Sequence, residues 1–156
     1  MAYQLKEINE RIQREPEAFM AECDRAYQKR IDTAVDKILA RIAESPIVLL
    51  SGPSGSGKTT TALKLEQELV SRGVNTHTIS MDNYFKTLNR ATAPRTPEGD
   101  IDYESPLLLD MDLLDETFTR LSRGDWALIP KFEFARQMRN DSQGTLLKLD
   151  KDEIAI

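Results

Sequence analysis

Apolar residues in the first 45 positions recur at steps of three and four, the spacing of one helix face. Leu5, Ile8 and Ile12 mark a short helix. After Pro16, a residue suited to a first helical turn, the stripe Met20, Cys23, Tyr27, Ile31, Val35, Ile38 and Ile42 predicts a long one. The charges of the first 45 residues are interspersed, eight basic and nine acidic, as on a solvated face. The stripe is expected to pack on the following domain or, alternatively, to meet another chain. At Ser45-Pro46 the period changes. Ile47-Val48-Leu49-Leu50 is a continuous apolar run, the mark of a parallel strand buried on both faces. A glycine-rich turn follows, then a helix from about residue 58 to 72 closed by Gly73. Thr76 to Ser80 reads as a second strand, and residues 86–104, with Pro94, Pro97 and Gly99, as a loop. Ser105-Pro106 is an N-cap and first-turn proline, predicting a helix that carries Leu107, Met111, Leu114, Phe118 and Leu121 and stops at Gly124. Trp126 to Pro130 and Thr145 to Leu149 are further strands, and Glu153 to Ile156 the opening of another.

Strand alternating with helix predicts an α/β fold, a parallel sheet flanked by helices, with an N-terminal helical extension. The division expected is residues 1–45 for the extension and 46–156 for the α/β domain. The strand at 153–156 is expected at a sheet edge, where its apolar residues either drive self-association into a homo-oligomer or are shielded by the helix of residues 16–43.

Composition narrows the function. The chain has 156 residues, 40% hydrophobic and 30% charged, which suits one folded domain. Net charge is −5, and residues 98–116 hold eight acids and no lysine or arginine, which argues against nucleic acid as a partner. One cysteine, Cys23, fits a reducing compartment. Apolar runs are too short to span a bilayer, and the N-terminus lacks a signal-peptide pattern, so a cytoplasmic location is expected. A single histidine, His77, cannot build a zinc site with one cysteine.

The strongest chemical signal is Gly52-Pro53-Ser54-Gly55-Ser56-Gly57-Lys58-Thr59, followed by Thr60. It matches G-x-x-x-x-G-K-[ST], placed between a buried strand and a helix as that phosphate-binding loop requires. Glycines let successive backbone N–H groups turn toward phosphate oxygens. Lys58 supplies a mobile charge, Thr59 a hydroxyl for Mg²⁺, and the helix N-terminus its dipole. The expected ligands are ATP and Mg²⁺. Asp82 follows the second strand in Ile79-Ser80-Met81-Asp82-Asn83-Tyr84-Phe85. At the carboxyl end of a strand it would face the ligand crevice, as a general base or a partner of Mg²⁺. The alternative is a loop aspartate capping its own backbone.

Taken in order, Ser51 to Thr60, Ile79 to Phe85, Gly99 to Pro106 and Ile129 to Phe134 with Arg139 resemble four motifs of the phosphoribulokinase/uridine kinase family, in its N-terminal half. The resemblance implies a P-loop kinase acting on a small-molecule substrate, the hydroxyl of a nucleoside or related sugar alcohol. It implies Asp82 as general base and magnesium partner, Lys58 and Thr59 on phosphates and metal, and Asp102 on sugar hydroxyls. It places Phe132, Gln137 and Arg139 on the substrate side. Phe132 and Gln137 stand where well-studied uridine kinases carry tyrosine and histidine. The family continues past this point with an acid-bearing strand and an arginine-bearing lid, so the chain is expected to be part of a longer enzyme and by itself a poor catalyst even where it binds nucleotide. Two rivals are a kinase of another small alcohol and a nucleotide-binding regulatory or assembly module without turnover.

Overall fold

A computed structural model describes residues 4–53 and 55–156. Its centre is a short parallel sheet. Strand β1 (Asn75–His77) pairs with β6 (Glu153–Ala155), Thr76 opposite Ile154 and His77 opposite Ala155. On the other side of β6, Ala155 bridges to Ile47, and Val48 N donates to Ala155 O at 2.8 Å. Residues 153–155 are thus the middle of the sheet, flanked by chain from 47 and from 75. The expectation of an edge strand there is corrected. A middle strand needs apolar side chains on both faces, and Ile154 and Ala155, both buried, supply one to each.

On the first face lie α2 (Pro16–Leu39) and α3 (Lys58–Ser71). Ile31 and Val35 from α2, Leu65 and Leu69 from α3, and Ile154 form one core, with Tyr27 and Val48 against it. The long helix of the extension therefore covers the central strand itself. On the second face Leu121 of α4 (Met111–Ser122) meets Ala127 and Ile129, Leu149 and Ala155. Helix, parallel sheet, helix is the α/β architecture expected. Leu69, with no exposed surface, fills the first core. Leu69→Ala is expected to cost about 2–5 kcal/mol through lost transfer energy and the cavity left behind, read as a lower urea midpoint.

The elements depart from the pattern in four places. The run Ile47 to Leu50 pairs only at its start, where Ile47 bridges to Ala155, and Leu49 is 70% exposed. The strands at 127 and 145 are β2 (Ala127–Ile129) and β5 (Thr145–Leu147), paired antiparallel to each other outside the parallel sheet. Between them β3 (Phe132–Glu133) and β4 (Met138–Arg139) form a hairpin. Ser105 caps only a single 3₁₀ turn, Pro106–Leu108, and α4 begins at Met111, where Asp110 accepts from Leu113 N at 3.3 Å. A second cap overrode the first. In the extension, α1 (Leu5–Arg14) buries no residue, and Phe19 rather than Met20 turns inward, under the Arg11 guanidinium at 4.5 Å. The start of α2 faces α1, which shifts its inner side by one residue. No helix among the described residues is long and apolar enough to cross a membrane.

Candidate functional site

The loop joining Leu50 to α3 takes the form its glycines allow. Gly55 and Gly57 lie at φ +72° and +83°, in the left-handed region that side chains disfavour. At Gly52 an added β-carbon would come within 2.8 Å of Ser56 Oγ, so a side chain there would require the serine hydroxyl to shift. Gly57 opens α3 without a side-chain cap, which leaves the first N–H groups of the helix available to an anion. Lys58 Nζ folds back over the loop, donating to the carbonyls of Gly52 at 2.8 Å and Pro53 at 3.0 Å. Thr59 and Thr60 are exposed. Ser54, expected among the phosphate contacts, lies outside the described residues.

Asp82 sits on a 3₁₀ turn, Met81–Tyr84, that begins just after Ile79 bonds to Ile156 O. Three contacts hold this turn. Ser80 Oγ accepts from Asp82 N at 3.3 Å. Tyr84 is fully buried, and burial pushes its phenol up, against a smaller opposing effect of the Thr117 hydroxyl. Asn83 Oδ1 accepts from Phe132 N at 3.2 Å, tying the turn to the β3–β4 hairpin. The Asp82 carboxylate remains exposed.

Gly52, Pro53, Lys58 and Asp82 line one cleft of about 600 Å³. Part of its lining is aromatic. Phe85 and Phe132 have ring centres 5.6 Å apart, and Phe134 stands edge-on to Phe132 at 5.1 Å. Gln137 also faces the cleft, at φ +52°, unusual for a residue with a side chain. Its amide bridges the loop of residues 86–104, with Nε2 and Tyr103 Oη 3.4 Å apart and Arg90 Nη2 at 3.4 Å from Oε1. Of the expected residues, then, Gly52, Pro53, Lys58, Asp82, Phe132 and Gln137 share the cleft.

Asp102 and Arg139 do not line it. Asp102 Oδ1 accepts from Glu104 N at 3.1 Å, within its own turn. Arg139 donates to Asp110 Oδ2 at 2.6 Å and pairs with Asp141 at 2.9 Å. These partners hold Asp110 below its ordinary value and Arg139 above its own, the hydrogen bond between them being the main cause in both. The cleft instead adds Lys86, Leu88, Tyr103, Glu104 and Leu108. Tyr103 and Glu104 belong to the acidic stretch already singled out. Lys86 and Leu88 carry no sequence signal, because only the folding of the 86–104 loop across the hairpin brings them in. Among the described residues no cluster of three or more His, Cys, Asp or Glu is arranged to hold a metal.

Asn83 gives the site a checkable joint. Asn83→Ala removes the acceptor for Phe132 N and is expected to cost about 0.5–1.5 kcal/mol of stability, read as a lower urea midpoint. Asn83→Asp, which keeps the oxygen, should recover most of the loss.

Residues 47–151 match the model of the Phosphoribulokinase / Uridine kinase family. Among curated proteins, the chain is 34% identical over 100 residues to a uridine kinase of Schizosaccharomyces pombe, a match covering 62% of this chain and 21% of that protein. It is 23% identical over 109 residues to uridine-cytidine kinase 2-B of Danio rerio, covering 67% and 42%. The chain thus spans well under half the length of these relatives. Among solved structures, a possible uridine kinase from Bacillus stearothermophilus superposes with a TM-score of 0.64 at 25% identity, covering 83% of this chain and 70% of that one. D-glycerate 3-kinase from Cryptococcus neoformans superposes with a TM-score of 0.55 at 18% identity, covering 81% and 50%, and shares the fold.

Proposed function

The chain belongs to the Phosphoribulokinase / Uridine kinase family, and we propose that it serves Mg²⁺-dependent transfer of the γ-phosphoryl of ATP to a hydroxyl of a nucleoside or related small sugar alcohol. The observation that carries this reading is the common cleft, lined by Lys58 and Asp82 together with the Phe85–Phe132–Phe134 ring cluster.

The residues suit the ligands. The tight turn at Gly52 and the left-handed Gly55 and Gly57 leave room for backbone N–H groups to meet phosphate oxygens. Lys58 would exchange its two loop carbonyls for charge-assisted bonds to phosphate, which are stronger. Mg²⁺ is held in such sites by one or two hard oxygens together with the phosphates. Thr59 and Asp82, both exposed oxygen donors, are the residues that would hold it, and its chemistry there is to neutralise phosphate charge. Asp82 would also take the proton of the acceptor hydroxyl as the acceptor oxygen bonds to the γ-phosphorus and the bond from that phosphorus to the bridging oxygen breaks, releasing ADP. The aromatic wall stacks a planar or apolar acceptor face, and Gln137 offers it an amide edge. Asp102 and Arg139 contribute by fixing the loop and hairpin that shape this wall.

The test is calorimetric titration with MgATP, followed by assay of uridine, cytidine and a panel of sugar alcohols for phosphorylated product. Tight ATP binding with transfer to one of them supports the proposal. Binding without transfer to any acceptor would favour a nucleotide-binding module instead.

A further inference from the structure

The extension meets the phosphate loop's own helix at a defined point. Tyr27 Oη on α2 lies 2.8 Å from Thr61 Oγ1 on α3, a hydrogen bond between residues 34 apart in sequence. Thr61 is in the first turn of α3, three residues after Lys58, and its N donates to Gly57 O at 2.9 Å. One turn farther along, Lys64 Nζ sits 5.5 Å from the centre of the Tyr27 ring. Residues at i, i+3 and i+6 drift slowly around a helix, so Tyr27 lies along the ridge that leads back to Lys58. At the other end of α3, Arg72 pairs with Asp36 of α2. Helix α2 therefore grips α3 at both ends, and the grip nearer the loop adds a polar bond to the packing of the Tyr27 ring against the core. All of α2 lies before residue 47, where the family match begins.

We propose that Tyr27 is a positioning residue for nucleotide binding: through Thr61 it sets the orientation of the first turn of α3, whose N–H groups and Lys58 receive the phosphates. The extension is then a part of the nucleotide site, contributed from outside the region that matches the family. Preorganised donors bind an anion without the cost of ordering them first, so loosening this turn weakens ATP specifically. The inference rests on the reading of the loop as an ATP site.

The experiment compares the full chain with Tyr27→Phe, Thr61→Val and the double variant, by MgATP titration well below the melting temperature. Each single change is expected to weaken ATP about three- to tenfold, the range of one neutral hydrogen bond. The double variant should be no weaker than either single one, since both remove the same bond. Asp36→Asn, which breaks the distal pair, should lower the melting temperature with ATP affinity unchanged. Unchanged affinity in Tyr27→Phe, with normal binding by the wild type, would overturn the inference alone. Additive losses, or an equal loss in Asp36→Asn, would also overturn it, reducing the contact to general packing. Failure of the wild type to bind ATP would overturn the loop reading and this inference with it.

Discussion

Asp82→Asn is expected to slow phosphoryl transfer by about 10²–10⁴-fold, the contribution of a positioned general base, while ATP binding is largely retained. The substitution keeps the shape of the side chain and removes its capacity to take a proton. The turn that carries it should be undisturbed, because the Ser80 hydroxyl accepts from the backbone N of residue 82 and not from its carboxylate. Asp82 is exposed on the cleft, so neither solvation nor packing gives the carboxylate a structural task. The measurement is single-turnover transfer at saturating ATP, with ATP affinity measured separately. A variant with near-normal transfer would reduce Asp82 to a residue of its own turn.

The second large effect belongs to Lys58. Lys58→Ala is expected to weaken ATP by about 1.5–3 kcal/mol, roughly ten- to a hundredfold in Kd, with the fold intact. Among the described residues its ammonium is bonded to the carbonyls of Gly52 and Pro53 within the loop, and no core contact depends on it. Far-ultraviolet circular dichroism and a urea titration should match the wild type. Equal ATP affinity in the two proteins would remove the basis for reading the loop as a phosphate site.

Much of the nucleotide side was legible before any coordinates. The glycine loop is local: its chemistry is spelled by consecutive residues, and the flanking strand and helix follow from short-range periodicity. Asp82 was legible for a related reason, since a polar residue directly after a strand lies at the sheet's carboxyl end. The aromatic part of the lining was less so. Phe132 and Gln137 came from resemblance, whereas Phe85 joins them only because Asn83 ties its turn to the hairpin. Arg139 was expected to reach substrate, yet Asp110 and Asp141 engage it first. Nothing in the spacing of an arginine says which of several carboxylates it will meet.

The α4 start shows the limit at close range. Ser105-Pro106 and Asp110 are both sound helix openings, and the choice between them fell to Asp110, whose backbone N is also held by Tyr84 O at 2.8 Å. By itself, then, the sequence determined the helices α1 to α3 and the phosphate loop, because these depend on neighbours within a few positions. Only the tertiary structure decided that Glu153 to Ala155 is the middle of the sheet, that α2 seals its face and reaches Thr61, and which side chains close the cleft. Those outcomes depend on pairings between residues tens of positions apart. A hydrophobic pattern states that a strand must be buried, and the partner that buries it is a property of the whole chain.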